Sequence, residues 1–268
     1  MAKPTDRARS LTLITGASDG IGAEFARLMA ARGHDLALCA RRLDRLDALA
    51  DEIARQGRPR PLVFALDLGD PAGPEHLAAG LAAAGVRVEI LVANAGYGLI
   101  GPARALDRRG QIGIVDLNVR ALTDITLLLL PQIVEARGRI LLVGSIGSWL
   151  PGPYLAVYYA SKAYVLSFGE ALWRELRDTG VSVTTLCPGP TVTGFQARAG
   201  MAAAAASSSD PRIMSARAVA EAGYAGLMAG RRTVVPGWRN KLVQWLAPLA
   251  PRTRLLNMVA RMQESRTG

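Results

Sequence analysis

Along this chain, short runs of consecutive apolar residues alternate with longer stretches in which leucine, isoleucine and alanine recur every three or four positions. The short runs fall at residues 11–15, 35–40, 62–66, 90–93, 139–144, 181–187 and 233–235. They are continuous rather than alternating, as expected of strands covered on both faces. The helical stretches fall at 20–32, 42–56, 74–84, 107–136, 158–179 and 215–229. In the second, Leu43, Leu46, Leu49 and Ile53 share one face. The third opens on a proline and stops before Gly85, while the last two stop before Gly180 and Gly230, as helix ends do. The fourth is long, with an interruption expected at Pro131, which cannot donate a backbone hydrogen bond. Seven strands alternating with six helices predict an α/β fold: a doubly wound, Rossmann-like parallel sheet with right-handed crossovers and helices on both faces.

The 268 residues suit one such domain, and no boundary shows before residue 230. Residues 1–235 therefore read as one domain and 236–268 as a basic, helical C-terminal extension. Half of all residues are hydrophobic, enough for a full core. The formal net charge of +10 is uneven. From Arg231 onward there are eight basic residues and one acid, Glu264. A solvated face is the first reading of that tail and an anionic membrane surface the second. No nucleic-acid-binding motif accompanies it, so no such partner is expected. Cys39 and Cys187 lack metal or redox spacing and are expected as buried free thiols, with no metal site. The N-terminus is too polar for a signal peptide, and the apolar run at 127–130 ends at Pro131, far short of a membrane span. A cytoplasmic location is expected. Residues 200–210 (GMAAAAASSSD) form a low-complexity insert, expected to be mobile and to act as a lid.

The first strand runs into Thr15-Gly16-Ala17-Ser18-Asp19-Gly20-Ile21-Gly22 and then a helix. Small residues there let backbone approach a pyrophosphate, and the helix start offers it free N–H groups and a positive dipole end. A lone glycine-rich turn is more often a plain connection. The spacing differs from the G-x-G-x-x-G fingerprint, but the strand-turn-helix setting strengthens the case. Residues 16–20 also spell G-x-S-x-G, the nucleophile elbow of a serine hydrolase. That alternative needs a histidine base, and only His34 and His76 exist, neither near the strand ends where Ser18 lies. The second strand ends at Cys39-Ala40-Arg41-Arg42. An acid there would bind the ribose 2′-OH of NAD, whereas arginine favours the 2′-phosphate of NADP. Asp67-Leu68 and Asn94-Ala95-Gly96 follow the third and fourth strands, where strand ends line a ligand crevice.

The fifth strand ends at Gly144-Ser145, and Tyr158 and Lys162 follow, four apart. On a helix that spacing sets both side chains on one face. A free phenol titrates near pH 10, and an adjacent ammonium is expected to lower it. Ser145 can hold a substrate oxygen beside the phenol. Tyr-x-x-x-Lys alone is common, but this lysine is one of only three in the chain, with Lys3 and Lys241. Tyr159 is the competing phenol, with poorer spacing to Lys162.

Together these segments resemble the short-chain dehydrogenase/reductase family in its single-domain, NADP-preferring branch. The resemblance spans residues 10 to about 235. It rests on TGASDGIG at 15–22, DL at 67–68, NAG at 94–96, Asn118 within LNV, GS at 144–145, the Tyr158/Lys162 pair and PGPTVT at 188–193. It implies an oxidoreductase that moves a hydride between NADP(H) and a carbonyl or alcohol carbon, with Asn118, Ser145, Tyr158 and Lys162 as the catalytic set. NADP contacts are implied for Gly16, Ser18, Asp19, Gly20, Ile21 and Gly22 in the first loop, and for Arg41, Arg42, Asp67 and Leu68 beyond it. Further contacts are implied for Asn94, Ala95, Gly96, Tyr158, Lys162, Pro188, Gly189, Thr191 and Thr193. Asn118 would hold a water that relays protons from Lys162, Thr193 would meet the nicotinamide carboxamide, and Ile21 would lie against the cofactor. A homodimer or homotetramer through the helices at 107–136 and 158–179 is also implied. One departure stands out: NADP-preferring members often carry a basic residue before the second glycine, and this chain has Asp19.

The substrate side is expected from Ser145, Ile146, Trp149, Tyr154 and Phe195, with residues near Tyr97. Being mostly apolar, they suit a hydrophobic ketone, aldehyde or acyl compound. The tail, with Pro236-Gly237 and Asn240, resembles the basic C-terminal extension of bacterial reductases of the PGxxN type. It has three candidate uses: capping the pocket, packing on a second subunit, or resting on a membrane surface. A catalytically idle NADP-binding sensor or scaffold is the alternative function, and the complete Ser145, Tyr158 and Lys162 set argues against it.

Overall fold

In a computed structural model, residues 9–194, 199–200 and 213–264 are described. Seven parallel strands form one sheet in the order β3-β2-β1-β4-β5-β6-β9. They are β1 (Arg9–Thr15), β2 (Leu36–Ala40), β3 (Leu62–Ala65), β4 (Val86–Ala93), β5 (Arg139–Val143), β6 (Ser182–Leu186) and β9 (Thr233–Val234). A two-stranded parallel pair, β7 (Thr191–Val192) with β8 (Met214–Ser215), stands apart. The continuous apolar runs are explained by cover on both faces. On β1, Leu11 and Leu13 enter one buried cluster and Ile14 the other. On β5, Ile140 and Leu142 face one way and Leu141 and Val143 the other. Each face is sealed by helices.

Helices α1 (Gly20–Ala31), α2 (Leu43–Arg55) and α7 (Ala216–Met228) contribute to one cluster, and α3 (Gly73–Ala83), α5 (Leu122–Glu135) and α6 (Ala156–Glu175) to the other. The strand order reverses between β1 and β4, which opens a crevice at their carboxyl ends. The helix expected at 107–136 is divided, though not at Pro131. It runs as α4 (Arg108–Val115), a π-helical segment Asp116–Ala121 and then α5. Pro131 lies inside α5 on its exposed side, where water can serve the carbonyl it leaves without a partner.

α6 lies close against β6. A Cβ on Gly169 would sit 2.1 Å from the Thr185 hydroxyl, so only glycine permits this approach. After the sheet come α8 (Trp238–Leu246), a 3-10 turn Ala247–Leu249 and α9 (Arg252–Glu264). On α9, Leu255, Val259 and Gln263 recur every four residues on the buried face. Among the described residues, no helix is long and apolar enough to cross a membrane.

Candidate active site

At the carboxyl edge of the sheet, the β1–α1 turn is held by backbone rather than side chains. Gly16 has φ +66°, and a Cβ there would meet the Ala95 Cα at 2.8 Å. A Cβ on Gly22 would meet the Gly16 carbonyl oxygen at 2.4 Å. Gly22 therefore does not face the crevice but lets α1 close onto the turn. Asn94 braces the same turn, its Nδ2 donating to the carbonyls of Thr15 and Gly16 at 3.1 Å each. Thr15 Oγ1 accepts from the Asn94 and Ala95 amides at 3.0 and 3.1 Å. Asp19 caps α1 by accepting from the Gly20 amide at 2.7 Å. The bare turn and the N-terminal end of α1, with Gly20 and Ile21 on the wall of the cavity, fit an anionic diphosphate.

Beyond the end of β2, Arg42 Nη2 donates to Ser18 Oγ at 3.1 Å and lies 3.7 Å from the Asp19 carboxylate. Arg45 approaches the same carboxylate at 3.9 Å, and Arg41 approaches Asp67 at 3.6 Å. Asp67 Oδ1 also accepts from the Gly69 amide at 2.9 Å. Three guanidiniums thus gather with the Asp19 and Asp67 carboxylates beyond the end of β2, and Arg41 and Arg42 line the cavity there. Arg45 escaped sequence reasoning because it lies on the first turn of α2, away from any motif.

The π-helical segment aims Asn118 inward. Its Oδ1 accepts from the Tyr97 amide, while its Nδ2 donates to the Tyr97 carbonyl and to Ser161 Oγ, each at 3.0 Å. Asn118 is fully buried. A π-turn shifts the helical register by one residue, which places this amide where a regular helix would not. Gly96 lies between Asn118 and Lys162: a Cβ there would be 2.9 Å from Asn118 Oδ1 and 3.5 Å from Lys162 Nζ.

α6 brings Tyr158 and Lys162 to the cavity together. Lys162 Nζ donates to the Val143 carbonyl at 2.8 Å and lies 5.9 Å from the centre of the Tyr158 ring. Ser145 Oγ accepts from the Gly147 amide at 3.1 Å and shares a hydrogen bond with the Tyr158 phenol. Ser148 Oγ donates to the Lys162 carbonyl at 2.7 Å, tying this turn to α6. Burial pushes Tyr158 up to about 12, opposed by the Ser145 hydrogen bond. Burial also draws Lys162 down to about 8. The expected fall in the phenol's pKa is therefore reversed in this protein. Desolvation disfavours the charged forms of both groups, and Tyr159 and Cys187 beside the phenol add to its rise.

These residues open into one cavity of about 1100 Å³. Gly16, Ser18, Asp19, Arg41, Arg42, Asp67, Leu68, Ala95, Pro188, Gly189, Thr191 and Thr193 line one arm of it, and Ser145, Ile146, Tyr158 and Lys162 line it too. Trp149 and Tyr154 are not on its wall. Trp149 packs against Leu166, Cys187 and Val235. Tyr154 donates its hydroxyl to Glu264 at the outside of α9. Phe195 and residues 201–210 of the low-complexity insert lie outside the described residues. The tail supplies part of the remaining wall, with Trp238, Arg239 and Val243 from α8 and Met258, Met262 and Gln263 from α9, beside Leu150, Leu155, Ile213 and Met214. Gln263 Nε2 donates to the Tyr159 hydroxyl at 2.9 Å, so the competing phenol anchors the tail. Asn240 abuts Gly189, where a Cβ would meet its amide within 2.4 Å, and bonds the Pro236 carbonyl at 2.7 Å. His34 contacts Tyr224 at 3.3 Å beyond the amino end of β2. Ser18 lies beyond the carboxyl end of β1, which pairs with β2 in parallel, so the sheet separates it from His34, and His76 is exposed on α3 and off the cavity wall.

Residues 10–203 match the family model of the short chain dehydrogenases. A sulfoacetaldehyde reductase of Chromohalobacter salexigens is 40% identical over 185 residues, covering 68% of this chain and 72% of that protein. A very-long-chain 3-oxoacyl-CoA reductase of Pyricularia oryzae is 31% identical over 240 residues, covering 88% and 71%. Among solved structures, a short-chain dehydrogenase from Sphingobium yanoikuyae in complex with NADPH aligns with a TM-score of 0.79 at 31% identity, covering 93% of this chain and 95% of that one.

Proposed function

The chain belongs to the short-chain dehydrogenase family, and from that premise we propose that it reduces hydrophobic ketones, aldehydes or acyl compounds with NADPH. The observation that carries this is the joint placement of Ser145, Tyr158 and Lys162 in one cavity that Arg41 and Arg42 also line, beside apolar side chains such as Ile146, Val243 and Met258. Residues 1–235 are read as the dinucleotide-binding and catalytic unit, and 236–268 as an extension whose inner side completes the cavity.

Bound nicotinamide supplies the hydride. Ser145 Oγ and the Tyr158 phenol donate hydrogen bonds to the carbonyl oxygen and polarise it. As the carbon takes the hydride, the oxygen takes the Tyr158 proton, giving an alcohol and a phenolate. A phenol held near 12 keeps that proton at neutral pH, which suits a donor to a nascent alkoxide. The Lys162 ammonium stabilises the phenolate from beside the ring. Its own pKa of about 8 lets it exchange protons near neutrality. Asn118 fixes the Tyr97 loop next to Lys162. For the cofactor, Arg41, Arg42 and Arg45 favour a 2′-phosphate. Asp19, which departs from the usual basic residue, caps α1 and gathers Arg42 and Arg45.

The test is oxidation of NADPH and of NADH by a panel of ketones, aldehydes and acyl thioesters, with wild type and Tyr158→Phe. Turnover with NADPH should fall about a thousandfold in the variant, with NADPH affinity nearly unchanged. Wild-type kcat in the variant refutes the role of Tyr158. Tight NADPH binding without any turnover makes the protein an idle binder.

A further inference from the structure

α8 has two unlike sides. One carries Asn240 and Val243 toward the cavity. The other presents Trp238, Leu242, Trp245 and Leu246, continued by Leu249 of the next turn, at 68, 48, 72, 58 and 82% exposure. Their spacing of three and four residues draws one stripe. Half of the sixteen large hydrophobic side chains exposed among the described residues fall between Trp238 and Met262. An apolar patch this concentrated marks an interaction site. Around it stand the exposed cations Arg239, Lys241, Arg252, Arg254 and Arg261, against the single acid Glu264. Trp238, Met258 and Met262 belong both to this exposed set and to the wall of the cavity, so the patch runs into the cavity mouth. The family match ends at residue 203, so the device lies outside the family's matched pattern.

We propose that α8 and α9 seat the protein on an anionic lipid surface, with the cavity mouth turned to the bilayer. Indole rings and leucines enter the boundary between headgroups and acyl chains, while flanking guanidiniums meet lipid phosphates. A second copy of the chain is a poorer occupant. A two-fold contact through this stripe would set its basic rim against the same rim. The surface itself carries the lipid contact. That apolar carbonyl substrates enter from the lipid rests on the function proposed above.

Vesicle binding reads the contact without any turnover, so its failure is distinct from failure of the catalytic reading. Full-length protein should sediment with vesicles of phosphatidylcholine and phosphatidylglycerol, and not with phosphatidylcholine alone, and should release as salt rises. Trp245→Ser with Leu249→Ser, neither on the cavity wall, should cut partitioning about tenfold or more, with an unchanged circular dichroism spectrum. Arg252→Glu with Arg254→Glu should cost roughly tenfold as well. Wild-type tryptophan emission should be quenched by brominated acyl chains, a readout that needs no variant. Protein left in the supernatant with both vesicle types, or unquenched emission, overturns the proposal. So does light scattering that shows a dimer which Trp245→Ser with Leu249→Ser splits, in the absence of vesicle binding.

Discussion

The two arms of the crevice are built by opposite means. The arm over β1 and β4 is made of missing side chains: Gly16 and Gly22 bring backbone so close that a single methyl group has no room. The arm under α8 and α9 is made of large side chains delivered from the far end of the chain. In the first, adding an atom is ruinous. In the second, removing several reshapes a wall that the sheet does not depend on. A common ligand part can be recognised by backbone, whereas the variable part falls to side chains on a separable segment.

The sharpest way to break this contrast is Gly22→Ala. The new Cβ would lie 2.4 Å from the Gly16 carbonyl oxygen and 2.5 Å from Asn94 Nδ2. Neither can retreat without opening the turn. A loss of about 3 kcal/mol in urea unfolding is expected, together with loss of measurable NADPH binding. A variant that keeps both would show that the turn is not set by this contact.

Between the two arms lies Lys162, and its effect is smaller and pH-dependent. Burial holds its native pKa at about 8, against an ordinary lysine value of 10.5. Above pH 8 the unfolded chain binds this proton more fully than the native one, so stability rises with pH through that window. Below pH 8 both states are protonated and the full cost of burying the ammonium remains. Relative to Lys162→Met, wild type should therefore gain about 2 kcal/mol between about pH 8 and 10. Tyr158, held near 12, keeps its proton through that window in both folded proteins and cancels. A pH-independent difference between the two unfolding curves would remove the buried ammonium from the account.

Arg41→Ala with Arg42→Ala tests the open end of the backbone arm. KM for NADPH should rise about tenfold and KM for NADH should hardly move. Equal increases for both cofactors would assign these arginines to the shared part of the dinucleotide.

The strands, the crevice and the Tyr158/Lys162 pair were legible because each leaves a local pattern: an apolar run, a glycine turn, a four-residue spacing. The break at Asn118 was not. A π-turn inserts one extra residue, and the single shift of phase it leaves in the apolar pattern is faint beside a proline, so Pro131 offered the louder and misleading signal. Part of the cavity wall was misplaced for a related reason. Trp149 and Tyr154 are off the wall although Ile146, Leu150 and Leu155 beside them line it, and the tail adds side chains from about a hundred positions away, which periodicity cannot connect. The direction of the Tyr158 shift was hidden too, because spacing reveals a neighbouring charge but not how dry the place is. One trace of the tail's role was present. Gln263 continues the Leu255 and Val259 stripe, and a polar residue on a buried stripe calls for a partner.

That partner, Tyr159, gives the mildest and most discriminating change. Gln263→Leu keeps the bulk of the side chain and removes its 2.9 Å hydrogen bond to the Tyr159 hydroxyl. The expected cost is about 1 kcal/mol, read as a lowered melting temperature. Met258 and Met262 sit on the same helix and line the cavity, so loosening α9 should raise KM for bulky carbonyl compounds a few-fold. Tyr159 also neighbours Tyr158, with ring centres 6.0 Å apart in an edge-on contact. A fall in kcat for small and large substrates alike would mean that the tail positions the catalytic phenol as well as the wall. NADPH affinity is the control. The backbone arm makes no use of α9, so the dissociation constant should stay at its wild-type value. A parallel loss there would join the two arms into one cooperative unit and end the contrast between them.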